Sequence, residues 1–307
     1  MESIETREHR SEPLSRPLTR AGFLGAALGA FALVGCSLVN DIKHPEPDTP
    51  GEVLDRSADD GAEGAAGADA PYGGEDDPRN REFAVDPNRT EWNFSAPEVK
   101  TVYLTFDDGP SYNTQPVLDI LDRYGIKATF FVTNINPDFI DMIGECYRRG
   151  HTIGLHTYSH DYAQVYASID AYWNDLNAIG ALVQERIGYV PCFIRFPGGS
   201  SNTISRDYTP GIMTQLSHDV VVAGYQYYDW DASCGDGAVH TADELVEATR
   251  WDTEAGYQSI VFLMHDAVSK DTTVEALPRI IEYFQEQGYA FAAIDRSTCV
   301  PHHGIGN

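Results

Sequence analysis

The sequence predicts an α/β fold in which parallel strands alternate with helices. From residue 100 onward, short apolar runs of strand length alternate with longer amphipathic stretches. Several of these amphipathic stretches end at a glycine, the residue that commonly follows the last turn of a helix. Finally, polar side chains suited to catalysis follow directly after several of the strands, where parallel β–α folds carry their active sites.

The predicted strands are short, apolar and rich in β-branched and aromatic residues. They are expected at 102–106, 128–132, 151–155, 192–196, 220–227, 259–264 and 289–294. Helices are expected between them at 114–124, 137–149, 168–187, 210–217, 241–255 and 272–287. Thr114 is the expected N-cap of the first helix and Gly125 ends it, while the run that begins at Thr241 has the form of a capping box. Seven strands that alternate with helices imply parallel β–α units, which either close as a barrel or lie as an open sheet.

The first 97 residues are predicted to precede the folded domain. Residues 1–36 have the form of a signal peptide, because arginines precede an apolar run of about 14 residues. This run ends at Cys36 in a sequence that resembles the lipobox of bacterial lipoproteins. An uncleaved helical anchor is the alternative, and the export route, Sec or twin-arginine, stays open because Ala21 stands where a second arginine belongs. Both alternatives place the domain, predicted at 98–300, outside the cytoplasm.

Residues 37–97 are predicted to be an acidic, disordered linker. Asp, Glu, Gly, Ala and Pro dominate them, and such a composition buries too little apolar surface to offset chain entropy. Apolar residues return around Phe83, Trp92 and Phe94, where a docking contact with the domain is expected. The acidity also bears on partners, because a net charge of −26 argues against nucleic acid binding.

Four cysteines follow Cys36, and their state is left open. In an exported domain they fit either two disulfides or buried thiols, and no Cys-x-x-Cys spacing predicts a thiolate zinc site. They are Cys146, Cys192, Cys234 and Cys299.

Two segments carry the ligand types of a metal site. Asp107 and Asp108 follow the first predicted strand and precede Gly-Pro. One carboxylate can therefore bind a metal while the other acts as a base. The alternative is that both side chains cap a turn. His156 and His160 are four residues apart, so both imidazoles can reach one ion. One carboxylate oxygen and two imidazole nitrogens suit zinc and leave a coordination position for water.

Two further segments supply an arginine and a histidine. Arg195 lies at the end of the fourth predicted strand and is expected to hold a carboxylate, with a surface salt bridge as the alternative. His265 follows a fully apolar strand, where it is either a satisfied core residue or a general acid that faces the metal.

In this order, the segments resemble the NodB-homology polysaccharide deacetylases, carbohydrate esterase family four, over about residues 99–295. Thr-Phe-Asp-Asp-Gly-Pro from Thr105, His-Thr-Tyr-Ser-His from His156 and Leu-Met-His-Asp from Leu263 match family motifs. Arg-Phe-Pro-Gly-Gly from Arg195 matches another family motif, except that Gly198 replaces the usual aromatic residue. The resemblance implies a distorted (β/α)7 barrel and one divalent metal ion, Zn²⁺ with Co²⁺, Ni²⁺ or Mn²⁺ as alternatives, held by Asp108, His156 and His160.

The resemblance also implies roles for the residues around that metal. Asp107 would be the base, held in place by Arg195. The backbone N–H of Gly198 would stabilise the oxyanion together with the metal, and Leu263 would line a pocket for the acetyl methyl group. His265 would protonate the departing amine.

A further family motif, expected in the segment 228–237, departs from the family pattern. Our alignment places Asp236 in the role of the aspartate that orients the catalytic histidine, and Gly237 where tryptophan is usual. The indole that would form one wall of the substrate groove is therefore absent from this position.

These features predict a metal-dependent hydrolase that removes N-acetyl groups from a cell-surface polysaccharide, with N-acetylglucosamine of peptidoglycan as the first choice. Chitin-like or O-acetylated glycans are alternatives, as are a non-catalytic surface glycan-binding protein and an amidase of small cyclic amides. We expect a monomer that contacts the bacterial membrane only through a lipid on Cys36 and faces the cell wall.

Overall fold

A computed structural model of the chain describes residues 77–92 and 94–307. The strands of this part are β1 Thr101–Asp107, β2 Thr129–Val132, β3 Thr152–Leu155, β4 Phe193–Ile194, β5 Gln226–Tyr227, β6 Ala232–Ser233, β7 Ser259–His265 and β8 Ala290–Phe291. The α-helices are α1 Pro78–Phe83, α2 Thr114–Tyr124, α3 Met142–Arg148, α4 Tyr162–Val165, α5 Ile169–Ile187, α6 Ser205–Tyr208, α7 Ile212–Val222, α8 Ala242–Asp252 and α9 Asp271–Glu286. A short 3₁₀-helix spans Pro137–Phe139.

All strand pairs of the sheet are parallel, which confirms the predicted α/β class. The strands lie in the order β5-β4-β3-β2-β1-β7-β6, and β8 pairs with the first residues of β1. No ladder joins β5 to β6 among the described residues, so the strands form a curled half-barrel. The central strand β1 pairs with β7 along its whole length, from Thr101 opposite Ser259 to Asp107 opposite His265. This register brings two of the predicted site residues to the same edge of the sheet.

The sheet has eight strands where seven were predicted. The additional strand is β6, two residues long, which pairs with the middle of β7. The prediction of a strand over 220–227 was wrong for its first half, because Val220–Val222 complete helix α7 and only Gln226 and Tyr227 are extended. An apolar, β-branched run such as Val220–Val222 has the composition of a buried strand but also fits the buried side of a helix.

Helix ends follow the local sequence closely. Ser168 caps α5 by accepting a hydrogen bond from the Ala171 N–H, and Gly188 ends this helix in the left-handed conformation. The predicted capping box of α8 forms between Thr241 and Glu244. The predicted N-cap at Thr114 was wrong by one residue, because Thr114 is the first helical residue of α2.

The described residues before β1 pack against the domain, so the predicted linker ends earlier than residue 97. Phe83 packs edge-on against Phe193 on β4, with ring centroids 5.2 Å apart. The guanidinium of Arg296 lies 3.7 Å from the centroid of the Trp92 ring. The apolar residues that predicted a docking contact therefore make one. The predicted signal peptide, its lipobox and the first part of the linker lie outside the described residues.

The chain also continues past the predicted domain end at 300. His302 stacks on Tyr227, with ring centroids 3.9 Å apart. The His303 N–H donates a hydrogen bond to the Asp229 carboxylate over 2.7 Å. The C-terminal residues therefore belong to the domain.

The cysteines do not form two disulfides. Cys146, Cys192 and Cys234 are buried free thiols, and burial raises the pKa of each of them. Of the two states that the sequence left open, the structure has the buried thiols at these three positions. Among the residues that the structure describes, no helix is long and apolar enough to cross a membrane.

Candidate active site

Three side chains converge at the carboxyl edge of the sheet, and they are the three residues predicted as metal ligands. Oδ1 of Asp108 lies 3.4 Å from Nε2 of His156 and 3.2 Å from Nε2 of His160. One ligand atom of each residue lies within 4.8 Å of the others. His156 is buried, whereas the side chains of Asp108 and His160 are each 21% exposed, so the cluster opens to solvent on one side.

The hydrogen bond at the far side of the His156 ring sets its tautomer. Nδ1 of His156 lies 2.7 Å from the backbone oxygen of Arg195, which can only accept, so Nδ1 carries the hydrogen. Nε2 therefore presents its lone pair to the cluster. Burial, with a smaller contribution from His160, lowers the pKa of His156 to about 3, so the ring is neutral around pH 7.

The loop from His156 to His160 is held by a residue that the sequence did not single out. Asp175 on α5 accepts hydrogen bonds from the backbone N–H groups of Tyr158 and Ser159 and from the Ser159 hydroxyl. An aspartate in the middle of an amphipathic helix gave no signal, because its target lies 16 residues away in the chain.

Backbone strain is concentrated in the same loops. Positive φ angles occur at Asp108, Thr157 and His160, at +66°, +91° and +51°. Non-glycine residues with such angles cost on the order of 1–3 kcal/mol each and cluster at functional sites. Asp108 is the first residue after β1, and its Oδ1 and the Oδ2 of Asp107 lie 3.4 Å and 3.7 Å from the same atom, Nε2 of His156.

The donor set is suited to a divalent cation. Oδ1 of Asp108 is buried and has no hydrogen-bond donor among the described residues. A buried carboxylate oxygen without a partner is rare and requires an explanation. A cation placed between this oxygen and the two Nε2 atoms would supply that partner, and two imidazoles with one carboxylate are a common zinc set. The residues present therefore fit the implied metal.

Asp107 lies beside the cluster and is held by Arg195. Nη1 of Arg195 donates to Oδ1 of Asp107 over 2.7 Å, and both side chains are buried. Three further hydrogen bonds run from this guanidinium to the Thr105 hydroxyl and to the backbone oxygens of Tyr228 and Asp229. Arg195 is thus a buried anchor, and the alternative of a surface salt bridge is wrong. Burial raises the pKa of Asp107, although the positive charge of Arg195 opposes the shift.

His265 faces the cluster from the end of β7 and is paired with Asp236. Nδ1 of His265 lies 2.8 Å from Oδ1 of Asp236, whose Oδ2 accepts from the His265 N–H and from Thr273. Burial favours neutral His265, but the hydrogen bond and the charge of Asp236 outweigh it and raise the pKa of His265 to about 9. Burial likewise opposes ionisation of Asp236, yet the His265 hydrogen bond leads to a lowered pKa. The structure thus forms an ion pair between the two residues.

Gly198 lies in the loop after β4 and presents an unused backbone donor. Its backbone N–H has no acceptor within the part of the chain that the structure describes. The loop around it is fixed, because the Tyr166 hydroxyl donates to the Pro197 oxygen and the Asn202 amide donates to the Gly199 oxygen, each over 2.8 Å. Gly198 has a φ of +74°, which favours glycine at this position.

The last two predicted positions differ in their surroundings. Leu263 lies on β7 two residues before His265, opposite Thr105 on β1, and is buried. It therefore shares the sheet face of His265. A Cβ atom added to Gly237 would meet nothing within 4 Å, so the place of the missing indole is open.

Asp229 is the main residue of the site that sequence analysis missed. Its carboxylate accepts hydrogen bonds from the N–H and the hydroxyl of Ser200 and from the His303 N–H. Its backbone oxygen accepts from Arg195. Asp229 therefore connects the Gly198 loop, the C-terminal residues and the arginine that holds Asp107. Its place two residues after the end of β5 was the signal that could have identified it.

Comparisons with known proteins agree with this arrangement. A family profile described as Polysaccharide deacetylase matches residues 95–211. The chain is 30% identical over 231 residues to a peptidoglycan-N-acetylglucosamine deacetylase of Bacillus cereus, covering 72% of this chain and 81% of that protein. It is 31% identical over 209 residues to a putative polysaccharide deacetylase, YheN, of Bacillus subtilis, covering 66% of this chain and 70% of that protein. Among solved structures, the catalytic domain of peptidoglycan N-acetylglucosamine deacetylase from Eubacterium rectale is 42% identical with a TM-score of 0.68, covering 72% of this chain and all of that domain (100%).

Proposed function

We propose that this chain, which belongs to the polysaccharide deacetylase family, removes N-acetyl groups from N-acetylglucosamine of cell-wall peptidoglycan. One observation carries the proposal. A buried carboxylate held by arginine, a cluster of one aspartate and two histidines, and a charged histidine–aspartate pair all lie at one edge of the sheet. Hydrolysis of an acetamide needs a base, an electrophile and an acid in such proximity.

Asp108, His156 and His160 would hold a divalent cation, with zinc as our choice for this donor set. When bound, the cation would polarise the acetyl carbonyl and make water more acidic. The neutral, tautomerically fixed ring of His156 is ready for this role without loss of a proton.

The other residues would move protons and stabilise charge. Asp107 would accept the proton of the attacking water, because burial raises the pKa of its carboxyl towards the working pH. Arg195 would keep this carboxylate in position, and the free N–H of Gly198 would donate to the oxygen that becomes negative. His265, charged through its pairing with Asp236, would protonate the leaving amine. The products would be acetate and a free amino group on the sugar.

The sequence features of the first 97 residues support a proposed location as well. We propose that the chain is exported, lipidated at Cys36 and held at the outer side of the bacterial membrane by the acidic linker, facing the wall. Mass spectrometry of the membrane-extracted protein tests this: a diacylglyceryl modification at Cys36 is expected, and an intact N-terminus would contradict it.

The proposed activity is tested by acetate release from peptidoglycan, chitin oligomers and O-acetylated glycans, with zinc and with a chelator. Release from peptidoglycan that the chelator abolishes supports the proposal. Faster release from another glycan would reassign the substrate, and no release from any would favour a non-catalytic glycan-binding protein. The Asp107→Asn variant is the matched control. It should still bind metal but lose on the order of 10²-fold or more in rate, as expected for a lost general base.

A further inference from the structure

Gly198 lies directly against a tyrosine side chain from another loop. A Cβ atom added to Gly198 would lie 2.6 Å from the hydroxyl oxygen and 3.5 Å from Cε1 of Tyr162. The first distance is shorter than any ordinary contact between these atoms. Tyr162 therefore occupies the volume that a side chain at position 198 would need.

The loop of Gly198 cannot easily move away from Tyr162. The same added Cβ atom would lie 3.1 Å from Cβ of Asn202 on its other side. Asn202 is buried, and it is bonded to the Gly199 oxygen and to the Ser205 N–H. The close approach of Tyr162 and Gly198 is therefore a fixed feature of the site.

Tyr162 is equally close to the metal-ligand cluster. It follows His160 by two residues, and the two rings meet edge-to-face with centroids 5.7 Å apart. A second edge-to-face contact, with ring centroids 5.6 Å apart, packs Tyr162 against buried Tyr166 and helps to hold its ring in place. The side chain is only partly buried.

The hydroxyl of Tyr162 has an unused hydrogen-bonding capacity. It has no hydrogen-bond partner among the residues that the structure describes. The hydroxyl oxygen is not fully enclosed by protein atoms, so it reaches solvent. A rigid ring with an unpaired hydroxyl between a metal-ligand histidine and an oxyanion donor is placed to contact a bound molecule.

We propose that Tyr162 is a substrate-contacting residue that forms the cleft wall in place of a side chain at position 198, with its hydroxyl hydrogen-bonded to the acetylated sugar. This assignment rests on the proposed deacetylase function. The Tyr162 hydroxyl lies next to the place that the Cβ atom of a side chain at position 198 would take. The acetyl oxygen, in contrast, would meet the backbone N–H of Gly198. The contact is therefore with the sugar, and it holds the substrate equally before and during the reaction.

Kinetics and binding of the Tyr162→Phe variant test the proposal. With N-acetylglucosamine trimer as substrate, we expect KM to rise about 3- to 10-fold, because one neutral hydrogen bond is lost. We expect kcat to stay within about 2-fold of the wild-type value. The same factor should appear in the Kd for the trimer when Tyr162→Phe is added to the Asp107→Asn variant, measured by calorimetry without turnover. Tyr124→Phe is the matched control, because it removes a hydroxyl that is bonded to Glu282 on the outer helices.

The outcomes separate this proposal from the proposed function. Unchanged KM and Kd in the Tyr162→Phe variants would overturn the sugar contact, and so would a loss confined to kcat. Acetate release by the wild-type protein decides the proposed function by itself, whatever Tyr162 does.

A double-mutant cycle with Gly198→Ala gives a second test. An alanine at position 198 is expected to push the Tyr162 hydroxyl from its place, so Gly198→Ala and Tyr162→Phe should together raise KM less than the product of their single effects. Independent effects would show that the two residues do not share one space, and would overturn the proposal.

Discussion

Replacing Asp236 by Asn should move the alkaline limb of the pH–rate profile to lower pH. His265 must be protonated to donate to the leaving amine, so activity falls as pH rises through its pKa. That pKa is raised from 6.5 to about 9, against the effect of burial, by the hydrogen bond and charge of Asp236. Asparagine keeps the shape and one acceptor for Nδ1 but removes the charge, so the pKa of His265 should return to about 6.5.

The magnitude depends on the pH at which the two proteins are compared. At pH 8, a group of pKa about 9 is about 90% protonated, and one of pKa about 6.5 is about 3% protonated, a ratio of about 30. At pH 6 the same two groups differ by less than about 2-fold. Asp236→Asn should therefore have kcat/KM about 30-fold below wild type at pH 8 and nearly equal at pH 6. The charges of Asp107 and Asp108 act on His265 in both proteins, so the comparison isolates Asp236.

The assay is acetate release at substrate concentrations below KM between pH 5.5 and 10. The imidazole resonances of His265, followed by NMR over the same range, report its pKa without turnover. The melting temperature should be measured alongside, because asparagine leaves one of the N–H and hydroxyl donors around Asp236 without an acceptor. A pH-independent loss of activity, or a His265 pKa that is the same in both proteins, would refute the proposed role of the ion pair.

Three further changes test other parts of the structure. His160→Ala should reduce bound zinc, counted by elemental analysis after dialysis, from one ion per chain to a small fraction, and full occupancy would remove His160 from the ligand set. Arg195→Lys should lower the free energy of unfolding, measured in urea, by about 3–5 kcal/mol. The reason is that an ammonium cannot replace all the hydrogen bonds that the guanidinium makes to Asp107 and its neighbours. A loss below about 1 kcal/mol would contradict this. Trp92→Ala should remove the stacking under Arg296 and lower Tm by about 2–6 °C, whereas an unchanged Tm would show that this contact adds nothing to stability.

The sequence was sufficient for the parts of the fold that local chemistry determines. Helix α2 has its predicted bounds, and α5 begins after Ser168 and ends before Gly188 because capping residues mark both ends. The edge of the sheet that carries the site also followed from sequence, because parallel strands align their carboxyl ends. Such signals act within a few residues, so they do not depend on the rest of the fold.

Other features depend on contacts between distant residues and could not be predicted. Strand β6 is two residues long and exists only because β7 offers a partner for it. Asp175 holds a loop that lies 16 residues away in the chain, and no sequence pattern around it marks this role. Gly198 stands where the family usually has an aromatic residue, and only the structure shows that Tyr162 fills part of the space that a side chain there would need.

The adjacent carboxylates of Asp107 and Asp108 show how one chain segment can supply two different functions. Asp107 is the last residue of β1, so the strand directs its side chain to buried Arg195, which satisfies one oxygen. Asp108 leaves the strand with a φ of +66°, which directs its carboxylate to the two histidines and leaves Oδ1 without a donor. A carboxylate with a fixed cationic partner and a raised pKa suits a base, and one with an unpaired oxygen between two imidazole nitrogens suits a metal ligand. The backbone turn between them, rather than any difference in side-chain chemistry, therefore separates the two roles.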